Sequence, residues 1–184
     1  MMKQLFSIKF LVPLLMFIIV VVLLWGGMNR SERLPSPLIN HPVPHFMAES
    51  LFNPDHRLNP AIFKGHATLL NVFATWCGVC RVEHPRLVDL HHQDGIHIVG
   101  LDYKDDRTKA VTWLQAFGNP YDEVIFDPKG ILAINLGVYG TPEYFLIDSK
   151  GVIRKKIVGA IMPAEWPAIR AELLSYDQPK TVSK

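Results

Sequence analysis

"TLLNVFATWCGVCRVEHP", residues 68–85, sets a run of apolar residues against a turn that carries the only two cysteines of the chain, Cys77 and Cys80. Thr68 to Ala74 is short, apolar and bounded by Gly65 and the cysteine turn, the pattern of a strand buried on both faces. Val79 to His92 has the length and spacing of a helix, with Val82, Leu87, Val88 and Leu90 placed to pack and Pro85 placed to kink it. A second strand of the same kind, Ile96 to Asp102, follows. Strand, helix, strand predicts a parallel pair joined by a right-handed crossover.

Further out, Asp106 to Phe117 reads as an amphipathic helix with Ala110, Val111, Trp113, Leu114 and Phe117 turned inward, stopped by Gly118-Asn119-Pro120. The pattern then changes. "EYFLID" and "VIRKKIV" are joined by "SKG", a short glycine-containing connection that predicts an antiparallel hairpin. A last helix is expected from Pro163 or Ala164, carrying Trp166, Ile169, Leu173 and Leu174. The sum is an α/β protein whose mixed central sheet is parallel near the cysteines and antiparallel at the end, with helices on both faces. That is the architecture expected of a thioredoxin-like fold.

With 184 residues the chain suits one domain plus an appendage. A formal charge of +2, with no extended basic stretch, supplies no field for nucleic acid. Twenty uncharged positions separate Lys9 from Arg30, and "FLVPLLMFIIVVVLLWGG" within them would span roughly 27 Å as a helix, close to the hydrocarbon core of a bilayer. Residues 1–27 therefore read as an uncleaved anchor, since Trp25-Gly26-Gly27-Met28-Asn29 does not resemble a small-x-small cleavage site. Lys3 and Lys9 before the run, against Arg30 and Arg33 after it, place the body outside the cytoplasm. Residues 28–37 read as a proline-punctuated tether, 38–176 as the folded domain and 177–184 as a polar tail.

The cysteine spacing admits several chemistries. A c-type haem site needs a histidine after the second cysteine, and position 81 is arginine. Cys77, Cys80 and His84 could face one soft metal ion, which keeps a copper-handling chaperone as an alternative, whereas structural zinc would want a fourth ligand. A disulfide serving only as a staple would close a two-residue loop and remove little chain entropy. The spacing suits redox chemistry better. With Cys77 at the strand-to-helix turn, backbone N–H groups and the helix dipole favour its thiolate, and Cys80 one turn inside can resolve a mixed disulfide. Trp76 would then form an apolar rim for a docking polypeptide.

"WCGVC" after a buried strand, with Pro85 five residues beyond Cys80, resembles thioredoxin, and "GTPEYF" is similar to the segment in which thioredoxins carry a cis-proline facing the cysteines, which makes Pro142 the candidate. Longer stretches narrow the likeness: "INHPVPHFMAESL", "LLNVFATWCGVCRVEHP", "GLDYKDDRTKAVTWLQAFGNPY" and "LGVYGTPEYFLID". Together they resemble the cytochrome c maturation thioredoxins, the CcmG/DsbE family of thiol:disulfide interchange proteins. The resemblance implies a reductant held by a single pass on a bacterial inner membrane, with its domain in the periplasm and a Cys77–Cys80 disulfide in place of any cofactor. It implies apocytochrome c or a maturation thiol protein as substrate, and a membrane electron donor of the DsbD or CcdA type.

Thioredoxin itself carries a buried acid in the strand before the cysteines, where this chain has Asn71. An amide cannot take a proton from Cys80, so another group must do so. Glu83 and Glu143 are the candidates, and a carboxylate close to the pair would raise a cysteine pKa. Gly78-Val79 replaces the proline-containing dipeptide that the family often carries. Thr141 and Pro142 are expected to offer a backbone edge to the substrate chain, with Tyr139 lining the docking groove. "DYKDD" reads as a solvated loop, although it falls at the carboxyl end of a central strand, where sites tend to lie.

Overall fold

The computed structural model describes residues 4–28 and 37–177, with side chains at 11–25, 37–92 and 95–177. The chain divides into two compact units, Met1–Leu34 and Pro35–Lys184. The first contains α1, Gln4–Met28, apolar along its described length. No helix among the described residues is long and apolar enough to cross a membrane, the described side chains of α1 running only from 11 to 25. Residues 29–36 of the expected tether and the tail beyond Asp177 lie outside the described residues.

The second unit is built on a seven-stranded sheet. In chain order its elements are β1 (Ala48–Ser50), β2 (Arg57–Leu58), β3 (Thr68–Phe73), α2 (Gly78–Asp94), β4 (His97–Tyr103), α3 (Arg107–Phe117), β5 (Glu123–Asp127), α4 (Ile131–Asn135), β6 (Glu143–Ile147), β7 (Ile153–Val158) and α5 (Trp166–Ser175). The strands lie in the order β2-β1-β5-β4-β3-β6-β7. β3, β4 and β5 run parallel, and β6 pairs antiparallel with both β3 and β7, so the parallel-then-antiparallel reading holds.

Successive crossovers in one direction put α2 and α3 on one face, where α5 joins them. Leu69 and Phe73 of β3 pack there with Leu87, Leu90, Trp113, Leu114, Trp166 and Ile169. Leu70 and Val72 point the other way, against Phe63, Leu132 and Leu136. All six positions of β3 are buried, which is why its sequence is apolar on both faces, interrupted only by Asn71 after the opening Thr68, rather than an alternation. Each large apolar side chain so covered contributes roughly 1.5–3 kcal/mol. Gly100 in β4 answers a packing need, because a Cβ there would come within 2.9 Å of the Phe73 ring, which stacks on Tyr121 at 4.9 Å. The hairpin turns as expected, with Gly151 at φ +81 and the Asp148 carboxylate accepting the N–H groups of Lys150 and Val152.

Several expectations need correction. Val82 is 81% exposed and Phe117 54% exposed, so neither joins the core. Leu174 is also partly in solvent, at 39% exposure. Phe117 sits beside Trp113 with its outer face under the Arg81 guanidinium, a half-covered position that periodicity alone does not separate from burial. α2 continues through Pro85, and α5 starts at Trp166, its preceding turn closed by the Glu165 carboxylate on the Met162 N–H. β1, β2, β5 and α4, only two to five residues long, are too short to carry a periodicity of their own. The folded body reaches one residue further than expected, because Asp177 accepts the Ala67 N–H.

Candidate active site

Cys77 is the N-cap of α2. Its backbone is extended and its Sγ accepts the Cys80 N–H at 3.1 Å, so sulfur stands where a serine or aspartate oxygen stands in an ordinary cap. A thiolate at that position gains both the N–H and the positive end of the helix. Cys77 and Cys80 are joined as a disulfide. Burial does not separate their roles, at 6% and 5% exposure, but position does: only the Cys77 sulfur lies on the helix-capping N–H.

Beneath Cys80 runs a narrow crevice lined by Asn71, His84, Trp113, Tyr121, Pro142 and Tyr144. The Thr141–Pro142 peptide is cis. Gly159 donates its N–H to the Pro142 carbonyl, tying this loop to the end of β7, while the buried Thr141 hydroxyl has no hydrogen-bond partner among the described residues. Asn71 accepts the Tyr121 hydroxyl at 2.8 Å. His84 is 1% exposed, bonded through Nε2 to the Gly118 carbonyl at 2.8 Å and packed on Trp113. Its Nε2 is thus committed to Gly118, and the two sulfurs are bonded to each other. No group of three His, Cys, Asp or Glu among the described residues is placed to hold a metal.

Burial holds the His84 pKa below its ordinary value against the Gly118 hydrogen bond, so native His84 resists a proton that the unfolded chain accepts. Stability is therefore expected to fall as pH drops below about 6.5, the unfolded value. In thermal melts His84→Gln, which keeps an N–H donor, should show less of this acid sensitivity. An unchanged pH dependence would refute the assignment.

The two acidic candidates part company. Glu83 faces the cysteine side of the sheet, accepting the Tyr144 hydroxyl at 2.9 Å and the Ile161 N–H at 2.6 Å. Burial raises its pKa although both hydrogen bonds oppose the shift. Glu143 alternates with Tyr144 along β6 and so projects from the opposite face. There it is 1% exposed, accepts the Tyr139 N–H and pairs with Lys156 at 3.0 Å, its charge met by an ammonium rather than turned toward the sulfurs. Lys156 also donates to the Gly137 carbonyl and lies over the Tyr139 ring at 3.9 Å. Tyr139 is 64% exposed and Trp76 57%, so both offer apolar surface to an incoming chain.

Sequence reading missed Lys156, Tyr121, Tyr144 and Asp105. Lys156 belongs to a strand whose three successive basic residues all look solvent-facing, and only the fold brings one of them under the 137–142 loop. Asp105 holds the Thr75 backbone N–H and, at 2.9 Å, the Thr75 hydroxyl. Its signal was present in the charged cluster at the carboxyl end of β4.

A disulfide at a helix N-terminus, with one sulfur on the capping N–H, is built for exchange with another disulfide or dithiol. It exchanges two electrons with a partner's sulfurs, which makes this a thioredoxin-fold thiol:disulfide oxidoreductase. The Redoxin family model matches residues 39–171. The chain is 47% identical over 163 residues to the thiol:disulfide interchange protein DsbE of Escherichia coli (strain K12), covering 85% of this chain and 88% of that one. To the DsbE of Pseudomonas aeruginosa it is 48% identical over 158 residues, covering 85% and 87%. Among solved structures, a thioredoxin-family thiol:disulfide interchange protein from Chlorobium tepidum TLS superposes with a TM-score of 0.60 at 28% identity, over 72% of this chain and 95% of that one. The chain belongs to the DsbE family of thiol:disulfide interchange proteins.

Proposed function

We propose that this oxidoreductase works as a reductant in cytochrome c biogenesis, delivering two electrons to a disulfide in apocytochrome c or in a maturation thiol protein. The observation that carries the reading is the 47% identity to a DsbE protein along 85% of the chain. Cys77 thiolate attacks one sulfur of the substrate disulfide and releases the other as a thiol. Cys80 then attacks Cys77 Sγ, frees the substrate's second thiol and leaves the Cys77–Cys80 disulfide. Since the chain has no further cysteine, both electrons must be returned by another protein, and a membrane donor of the DsbD or CcdA type fits that need. Anchoring to the inner membrane with the domain in the periplasm is supported by the uncharged run between Lys9 and Arg30.

The direction of electron flow is testable through the potential. Equilibration with dithiothreitol or glutathione should give a value near ~−270 mV or modestly above it, and a value near ~−120 mV would mark an oxidant and reverse the proposal. The substrate is testable by trapping. Cys80→Ser, expressed in cells that make c-type cytochromes, should accumulate mixed disulfides through Cys77 with apocytochrome c or a maturation thiol protein. Adducts with neither would refute the substrate assignment.

A further inference from the structure

The loop that follows β4 grips the turn that precedes Cys77. Asp105 accepts the Thr75 N–H through one carboxyl oxygen and, through the other, the Thr75 hydroxyl at 2.9 Å and the Asp106 N–H at 2.7 Å. The neighbouring Lys104, in the left-handed region at φ +49, presents its carbonyl to the Trp76 indole N–H at 3.1 Å. Three hydrogen bonds thus tie residues 104–105 to the dipeptide Thr75-Trp76, directly before the cysteine that caps α2.

Behind Asp105 lies Asp102, 0% exposed, in β4 between Phe73 and Phe126 of the flanking strands. It alternates with Leu101 of the opposite core, which puts it on the sheet face that holds the cysteines. Among the described residues neither of its carboxyl oxygens receives an N–H or O–H. The charged groups around it are otherwise engaged. Arg107 gives its N–H groups to the Ser50 and Leu51 carbonyls and to Glu49, Asp106 caps α3 at the Lys109 N–H, and Tyr121 donates to Asn71. Phe73 is the register partner of Asp102, so the Asp105 carboxyl, bonded to Thr75 two residues further on, lies at the same end of β4. A buried carboxyl with no donor of its own and an acceptor beside it keeps its proton and donates it.

We propose that Asp105 is a positioning residue for thiol:disulfide exchange, latching the Thr75-Trp76 turn that presents Cys77, and that Asp102 is the buried acid whose proton holds Asp105 in that latch. Burial, with the nearby Asp105 charge adding to it and Arg107 opposing it, raises the Asp102 pKa to about 8. Loss of that proton sets two carboxylates against each other and pushes Asp105 off Thr75. The exchange chemistry itself is unchanged: no proton of the latch enters the sulfur transfer. The inference rests on exchange at Cys77–Cys80 and is independent of the substrate named above.

The test uses the full chain in detergent, reduced and mixed with glutathione disulfide, so that its result does not depend on any cytochrome partner. Asp105→Ala is expected to slow exchange about 10-fold, in line with the large rate penalties of small displacements at reacting centres. Thr75→Val should be slowed in the same sense, and Thr75→Ser should recover the loss because it keeps the hydroxyl.

Asp102→Asn supplies an N–H donor that does not titrate. The ratio of its rate constant to that of the parent chain should be flat below pH 7 and rise roughly 3- to 10-fold above pH 8, where only the parent acquires the second carboxylate. Titration of Cys77 itself is shared by both proteins and largely cancels in the ratio. Stability gives a second readout. Between pH 4 and 8 native Asp102 keeps a proton that the unfolded chain releases, so its contribution to stability falls as pH rises through that window, and the melting temperature of Asp102→Asn relative to the parent should climb across it. A ratio that stays flat to pH 9.5 overturns the role of Asp102, and an Asp105→Ala protein that melts normally and exchanges at the parent rate overturns the latch. Should Asp105→Ala fail to fold, the Thr75 pair and the Asp102→Asn profile decide the matter.

Discussion

Cys77→Ser is expected to lower disulfide reductase activity by roughly 10³-fold or more, because the nucleophile at the helix N-cap is lost and Cys80, whose sulfur has no such N–H to stabilise its thiolate, is a poor substitute. The hydroxyl of serine would still accept the Cys80 N–H and cap α2. The loop closed by the disulfide is also too short for its loss to cost much stability, so melting should move by only a few degrees. Cys80→Ser should differ in kind. It retains the first half-reaction, consumes one equivalent of substrate disulfide and then stalls as a mixed disulfide. Single-turnover thiol trapping distinguishes the two. If Cys77→Ser retained more than about a hundredth of parental turnover, the assignment of the nucleophile to the helix N-cap would be wrong.

The second large effect lies on the opposite face of the sheet. Lys156 and Glu143 have side chains that are 5% and 1% exposed. Removing one partner leaves the other charge buried without its counter-ion, a change that typically costs 3–5 kcal/mol. Lys156→Met is therefore expected to lower the melting temperature by roughly 6–20 °C for a domain of this size. Pairing it with Glu143→Gln should recover much of the loss, since the stranded carboxylate is then neutral and can still accept the Tyr139 N–H. A single Lys156→Met variant that melts with the parent would show that the pair is not a buried ion pair. The same substitution removes the cation over Tyr139 and the donor to Gly137, both in the loop leading to Pro142, so exchange with protein substrates should weaken more than exchange with glutathione disulfide.

Much of the architecture was written locally. The buried run Thr68–Phe73, the helix beginning at the cysteines, the parallel β4 and the hairpin around Gly151 each follow from a periodicity or a turn that a few adjacent residues specify. β5 did not, because "EVIFD" is a five-residue segment whose identity as a strand depends on β4 and β1 accepting it on either side. Val82 and Phe117 show the same limit from the other direction. Their helices are real, but which edge of an apolar stripe stays in water is decided by where the neighbouring element ends.

The site divides along the same line. Two cysteines two residues apart at a strand-to-helix turn, with a proline-containing loop elsewhere in the chain that resembles a docking segment, are legible in the residues alone. These are matters of residue type and short spacing. Tertiary structure alone decided that Glu83 faces the crevice side while Glu143 turns away to Lys156, that His84 is tied to Gly118, and that Asp105 holds Thr75. Those pairings join residues 13 to 61 positions apart, and whether a carboxylate or an imidazole meets a donor, a cation or a sulfur depends on strand parity and on which elements pack together. Neither is encoded in the immediate neighbours of the residue that carries the charge.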